Sequence, residues 1–282
     1  MKIAVFYENI FDGVQATRQK MEDVLSRLKD AGMDMLYISA DSWRRDRQEL
    51  LRQMKNVGLT MEGMHAFCDF AKNTDTEAYK EMIDFAMESG ANNFLIVPGF
   101  LSTGNSVKDL ESIVQGVRKA VAYGKTVGMP VLMEDFDGLA APYNCMAGFK
   151  YFLDAVPGLG CAFDTGNFVM FHEDEIAAFE LFADRIQTVH LKDRTKHRRH
   201  EKDTPLTCAD GTQTFACAPG SGDIRLDEIL NRLKARHYHG NVIIELYCCD
   251  PSEVLNDIDW SVRWLKSFCK KEPQKKDQNT GR

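Results

Sequence analysis

Short apolar runs recur along the chain, each closed by polar residues and followed by a longer stretch with helical spacing. The runs are "KIAVFY" (Lys2–Tyr7), "MDMLYIS" (Met33–Ser39), "GLTMEGMH" (Gly58–His65), "NFLIVP" (Asn93–Pro98), "PVLME" (Pro130–Glu134), "GCAFD" (Gly160–Asp164), "IQTVHL" (Ile186–Leu191) and "NVIIELY" (Asn241–Tyr247). Each reads as a buried strand. Between them the apolar residues gather on one face. In "VQATRQKMEDVLSRLKDAG" Met21, Val24, Leu25 and Leu28 align and Gly32 follows as a stop. "TDTEAYKEMIDFAMESG" stops in the same way at Gly90, and "SVKDLESIVQGVRKAVAYGKTVG" and "DEILNRLKARHYHG" follow the same plan.

Strand and helix alternating eight times predict a parallel sheet with right-handed crossovers. Eight units favour closure into a single (β/α)8 TIM barrel over residues 1–268, with its active site at the C-terminal mouth of the strands. A doubly wound open sheet is the alternative, but no GxGxxG follows the first strand. The stretch from Asp193 to Ser221 is too long for an ordinary connection and reads as an irregular, functional loop. Residues 269–282, "CKKEPQKKDQNTGR", are expected to form a polar, disordered tail.

Composition narrows the function classes. The chain has 282 residues, 44% hydrophobic and 27% charged, as a globular protein does. Its net charge of −7, from 35 basic and 42 acidic residues, argues against nucleic-acid and membrane-surface partners. No apolar run approaches the roughly 18 residues that cross a bilayer. "MKIAVFYE" meets an acidic residue too early for a signal peptide, and the eight cysteines form no CxxC pair. Buried reduced thiols in a cytoplasmic protein are the expectation.

The chemistry lies where the strands end. In a parallel barrel all C-terminal ends share one mouth. Glu134, Asp164, His190 and Glu245 stand at or near the ends of strands five to eight, so three carboxylates and one imidazole converge. Clustered carboxylates repel, and a divalent cation resolves the conflict. Three oxygen ligands with one nitrogen suit Mn²⁺, the expected metal, and admit Mg²⁺, Co²⁺ or Zn²⁺.

With "VLMEDFDG", "AFDTGN", "VHLKDR", "APGSGDI" and "VIIELY" in view, the chain resembles the xylose-isomerase-like TIM barrels, a superfamily of sugar isomerases and epimerases, up to about Phe268. The resemblance implies that Glu134, Asp164, His190 and Glu245 bind one metal and that Glu134 and Glu245 also act as acid/base groups on opposite faces of the substrate. The function so implied is a metal-dependent isomerase or epimerase of a sugar or sugar phosphate, acting by proton transfer through a metal-stabilised enediolate. It is of the ketose 3-epimerase or aldose–ketose type. A dehydratase or lyase of a related polyol or keto-sugar, and a non-catalytic sugar-binding barrel, are the alternatives. The superfamily's endonuclease IV branch carries a histidine where this chain has Asn167, and the net charge is wrong for holding a duplex.

Substrate-binding candidates are His65 at the end of strand three, Lys192 two residues beyond His190 on the same side of the strand, and Lys196 in the basic run "KDRTKHRRH". Asn167 joins them through its likeness to the "D-x-G-N" pattern of pentulose-phosphate 3-epimerases. Phe67, Phe100 and Phe136 are placed to wall a sugar face. "PGSGD" (Pro219–Asp223) reads as a turn, with a phosphate-cradling loop as the alternative. The expected partner is a small carbohydrate, with a second copy of the chain left open.

Overall fold

The computed structural model describes residues 1–73, 77–102 and 106–270. Seven strands follow in order: β1 (Ile3–Phe6), β2 (Met35–Ser39), β3 (Thr60–Phe67), β4 (Asn93–Val97), β5 (Val131–Glu134), β6 (Gly160–Asp164) and β7 (Ile186–Leu191). Three short strands come next, β8 (Asp193–Thr195), β9 (Leu206–Thr207) and β10 (Gln213–Cys217), and β11 (Val242–Ile244) is last. β1 to β7 and β11 close into an eight-stranded parallel barrel, with β1 pairing both β2 and β11. The fold is therefore the expected (β/α)8 barrel.

The helices cover the outside: α1 (Tyr7–Thr17), α2 (Met21–Ala31), α3 (Ala40–Val57), α4 (Ala78–Ser89), α5 (Ser106–Val127), α6 (Met146–Ala155), α7 (Glu175–Phe182), α8 (Leu226–Ala235) and α9 (Val254–Lys270). Gly90 ends α4 as expected. Its φ of 73° is left-handed, which glycine adopts without strain, and its N–H reaches Ala86 O and Met87 O. The single helix expected from Val14 onward is two helices. Arg18 takes a left-handed φ of 56°, and the chain restarts at Met21.

Two apolar layers hold the fold. The larger lies between strands and helices and includes Val5, Leu36, Met64, Ile96, Phe163 and Val189. The smaller fills the barrel: Ala4, Phe6, Met35, Tyr37, Leu95, Val97, Leu132, Ala162 and Ile243. Side chains alternate with period two along a strand. Leu132, Ala162 and Ile243 point inward, so Glu134, Asp164 and Glu245 do so as well, two residues nearer the mouth.

Two expectations are corrected. The stretch from Asp193 to Ser221 is not irregular, because β8, β10 and β9 pair antiparallel into a small sheet at the rim. The Asp203 carboxylate pins it, accepting from the N–H groups of Arg199, His200 and Asp250, so the insertion is tied to the loop after β11. Cys269 and Lys270, expected to belong to the tail, complete α9. Residues 271–282 lie outside the described residues.

Candidate metal centre and active site

Glu134 and Asp164 end β5 and β6, His190 lies next to last in β7, and Glu245 directly follows β11. Asp164 pairs with His190 across the ladder, and His190 with Ile243. One potential ligand atom from each of the four lies within 4.8 Å of all the others, and all four residues are buried. His190 Nδ1 is 2.8 Å from Glu134 Oε2 and 3.1 Å from Glu245 Oε2. Yet both ring nitrogens, Glu134 Oε2, Asp164 Oδ2 and Glu245 Oε2 lack a well-directed hydrogen bond. Buried polar atoms are nearly always bonded. Three carboxylates and one imidazole converging on one buried point are the donor set of a cation, and the residues present fit a single divalent metal.

Burial and neighbouring charges set the electrostatics of the cluster. Burial lifts the Asp164 carboxyl to about 7, against the pull of nearby Lys192. Burial would raise Glu245 too, but Lys192 and His190 outweigh it and hold that carboxyl down at about 2. For His190 burial favours the neutral ring, and Glu134 and Glu245 reverse this, raising it to about 10. A protonated ring therefore stands between the two glutamates as a positive group.

Lys192 is the second positive group. Its buried Nζ lies 2.6 Å from Glu245 Oε1, 3.3 Å from Asp164 Oδ2 and 3.0 Å from Asn167 Oδ1. Burial disfavours its charge, but Asp164, Glu245 and Asp137 hold the ammonium well above its ordinary range. Asn167 is fixed from its other end, where Nδ2 donates to Asp135 O at 2.8 Å. Lys192 and Asn167 therefore stand beside the four clustered side chains.

The other candidates divide. His65 lies within β3 rather than at its end, with its ring stacked on Tyr37 at 5.6 Å and near Phe6 at 5.3 Å. Both of those rings meet the His190 ring edge-on, and His65 Nδ1 has no bonded partner. Lys196 does not join the cluster. Its side chain is exposed, and its backbone N–H bonds Asp223 Oδ2 at 3.2 Å. The rest of the basic run serves the rim: Arg198 donates to Glu201 O and stacks on Phe215, and Arg199 donates to Ser221 O. Phe67, Phe100 and Phe136 form a continuous arc, with centroids 5.5 Å apart at each step.

Pro219–Asp223 is a turn and no phosphate cradle. The N–H groups of Gly220, Gly222 and Ile224 already donate to the buried carboxylate of Asp193, at 2.9, 2.8 and 3.2 Å. Sequence reasoning missed Arg194. Its guanidinium is buried, with Nε donating to Gly166 O at 2.7 Å and Nη2 to Asp137 Oδ2 at 2.8 Å. The signal was there: His190, Lys192 and Arg194 are spaced by two, so they share one side of an extended chain.

Residues 15–268 match the xylose isomerase-like TIM barrel family, and the chain belongs to it. An inosose dehydratase of Clostridium perfringens is 30% identical over 230 residues, 76% of this chain and 77% of that protein. Among solved structures, the probable 3-DHS dehydratase AsbF of Bacillus anthracis superposes with a TM-score of 0.73 at 16% identity, covering 94% of this chain and 99% of its own. A D-tagatose 3-epimerase-like protein gives 0.71 at 17% identity, covering 95% and 97%. These two likenesses show the shared barrel. Among the described residues no helix is long and apolar enough to cross a membrane.

Proposed function

We propose that this protein is a divalent-metal-dependent isomerase or epimerase of a polyhydroxy ketone, acting by proton transfer at the carbon beside the carbonyl. The observation that carries this reading is the pair Glu134 and Glu245. They come from β5 and β11, with the two ligand strands β6 and β7 between them, yet they meet at one buried cluster. Glu134, Asp164, His190 and Glu245 would hold the metal, with Mn²⁺ our expectation. When bound, such a cation supplies a Lewis acid that lowers the energy of negative charge on the substrate's carbonyl and adjacent hydroxyl oxygens.

The chain's own residues do the rest. One glutamate takes the proton beside the carbonyl, and the other returns one to the opposite face or the neighbouring carbon. Lys192 keeps Glu245 ionised and so free to accept a proton, at a cost in basicity, and fixes its direction. The Phe67–Phe100–Phe136 arc shields one flank of the mouth from water.

A second reading has its own support, because the 30% identical relative is named an inosose dehydratase. The first proton transfer is then the same. Afterwards a C–O bond breaks, and the hydroxyl leaves as water with a proton from a site acid. Incubating the metal-reconstituted protein with ketoses and inososes in D₂O separates the two. Deuterium beside the carbonyl together with an epimer or isomer is the expected result. An absorbing dehydrated product establishes the second reading instead. Neither deuterium nor product across the panel overturns both.

A further inference from the structure

Arg194 has a donor to spare in a place that has none to waste. The residue is buried, and its Nε and Nη2 are used by Gly166 O and Asp137 Oδ2, with Asn167 Oδ1 a further 3.5 Å contact. Its Nη1 is also buried and bonds nothing among the described residues. An unpaired buried guanidinium N–H is costly, and a ligand oxygen would satisfy it. Arg194 shares Asp137 and Asn167 with Lys192, whose Nζ touches the metal-ligand set. The spare donor therefore belongs to the same mouth.

The charges there are balanced. Glu134, Asp137, Asp164 and Glu245 bring four negative charges, and Lys192, Arg194 and one divalent cation bring four positive. The neighbouring Asp135 can only add to the negative side. A phosphate ester carries about −1.5 to −2 at neutral pH, and this buried mouth has no surplus cation to meet it. In the basic run Arg198 and Arg199 are spent on backbone carbonyls, and Lys196 is exposed, apart from the buried cluster. Asn167, whose sequence context resembles sugar-phosphate enzymes, uses its Oδ1 and Nδ2 on Lys192 and Asp135. At and beyond the ends of β3, β4 and β5, the Phe67–Phe100–Phe136 arc suits the C–H face of a neutral polyol.

We infer that the site takes an unphosphorylated polyhydroxy ketone and that Arg194 Nη1 selects it by donating to a hydroxyl oxygen. The inference rests on the proposed metal-dependent function and names the substrate class for that same site.

The test is equilibrium binding to the metal-loaded full-length protein, by calorimetry and thermal shift. The probes are D-fructose, D-tagatose and scyllo-inosose against D-fructose 6-phosphate and inorganic phosphate. A neutral probe should bind, and the phosphorylated ones should bind at least about tenfold more weakly. Asp137→Asn removes one negative charge and should tighten phosphate binding on the order of tenfold. Arg194→Met should weaken the neutral probe by about 10- to 100-fold, with Arg194→Lys between them. Deoxy analogues should lose affinity for the wild type but not for Arg194→Met, a coupling that a purely structural arginine would not give. Should Arg194→Met fail to fold, the Arg194→Lys and Asp137→Asn ratios carry the decision. Tighter binding of the phosphate ester than of its neutral parent overturns this inference and leaves the proposed reaction standing. Affinity unchanged in a folded Arg194→Met overturns the role of Arg194. No binding and no deuterium exchange with any probe overturns the inference and the proposed function together.

Discussion

Lys192 Nζ sits 2.6 Å from Glu245 Oε1, deep in the barrel mouth, and the two stand to each other as counter-ion to base. A cation bound by Glu245, Asp164, Glu134 and His190 would share that carboxylate with the ammonium. Lys192→Met should therefore act oppositely on the two states of the protein. Without metal, the variant leaves buried carboxylates uncompensated and should lose about 3–5 kcal/mol of stability. With metal, much of that loss should return, and the cation should bind more tightly because a positive neighbour is gone. Melting temperatures in chelator and in added Mn²⁺ check this. Equal destabilisation in both conditions would show that Lys192 and the metal site are uncoupled.

Metal affinity should climb with pH. A cation must displace the protons its ligands hold. Burial keeps the Asp164 carboxyl protonated up to about 7, and Glu134 and Glu245 hold the His190 proton up to about 10. Below pH 7 binding should release close to two protons, and between 7 and 10 close to one. The metal-induced rise in melting temperature should accordingly be smallest in acid. Calorimetry in buffers of different ionisation enthalpy counts the protons, and affinity that falls as pH rises from 6 to 8 would refute the assignment of His190 and Asp164 as ligands.

Glu134→Gln and Glu245→Gln should retain appreciable metal binding, since an amide oxygen can still coordinate. Each should lose turnover by about 10²–10⁴-fold, the usual loss when a positioned general base is removed. In an epimerase each variant should still exchange solvent deuterium into one epimer only. Near-normal turnover in either variant would reduce that glutamate to a ligand and end the two-base mechanism.

Asp164→Asn combined with His190→Gln should abolish stoichiometric metal binding, measured as metal per chain after dialysis. A cation held only by the native state stabilises it by ~2.7 kcal/mol at a hundredfold excess over Kd, so chelation should lower the wild-type melting temperature and leave the double variant unmoved. Full metal retention in the double variant would remove the metal centre from the protein.

Gly116→Ala tests the packing of helices on the barrel. In the middle of α5 alanine would by propensity be favoured by ~1 kcal/mol. Its Cβ would, however, lie 2.1 Å from Phe70 Cγ, and Phe70 is buried. Overpacking of this kind typically costs 1–3 kcal/mol, so a net loss of about 1 kcal/mol is expected. Urea unfolding with an unchanged slope measures it, and a stabilised variant would show that Phe70 yields.

What the sequence determined by itself is the barrel and the cluster of four side chains at its mouth. Strands buried on both faces have a short, local signature, and eight of them with helices between leave few ways to pair. "GCAFD" and "IQTVHL" reproduce β6 and β7 to the residue. Glu134, Asp164, His190 and Glu245 were legible because a parallel barrel sends every strand end to one face and period two fixes which side chains look inward. Tertiary structure alone decided the rest. The break at Arg18 leaves the helical spacing of apolar residues intact on either side, so periodicity could not reveal it. The rim sheet escaped notice because "LT" and "QTFAC" are too short to show a period, and their partner lies across an insertion. Asp193 closing the glycine turn, and Arg194 reaching Asp137 across 57 positions, are pairings between distant residues. A sequence states that such groups exist. Which carboxylate each will meet depends on where the folded barrel brings them, and a buried charge must take the partner it is given.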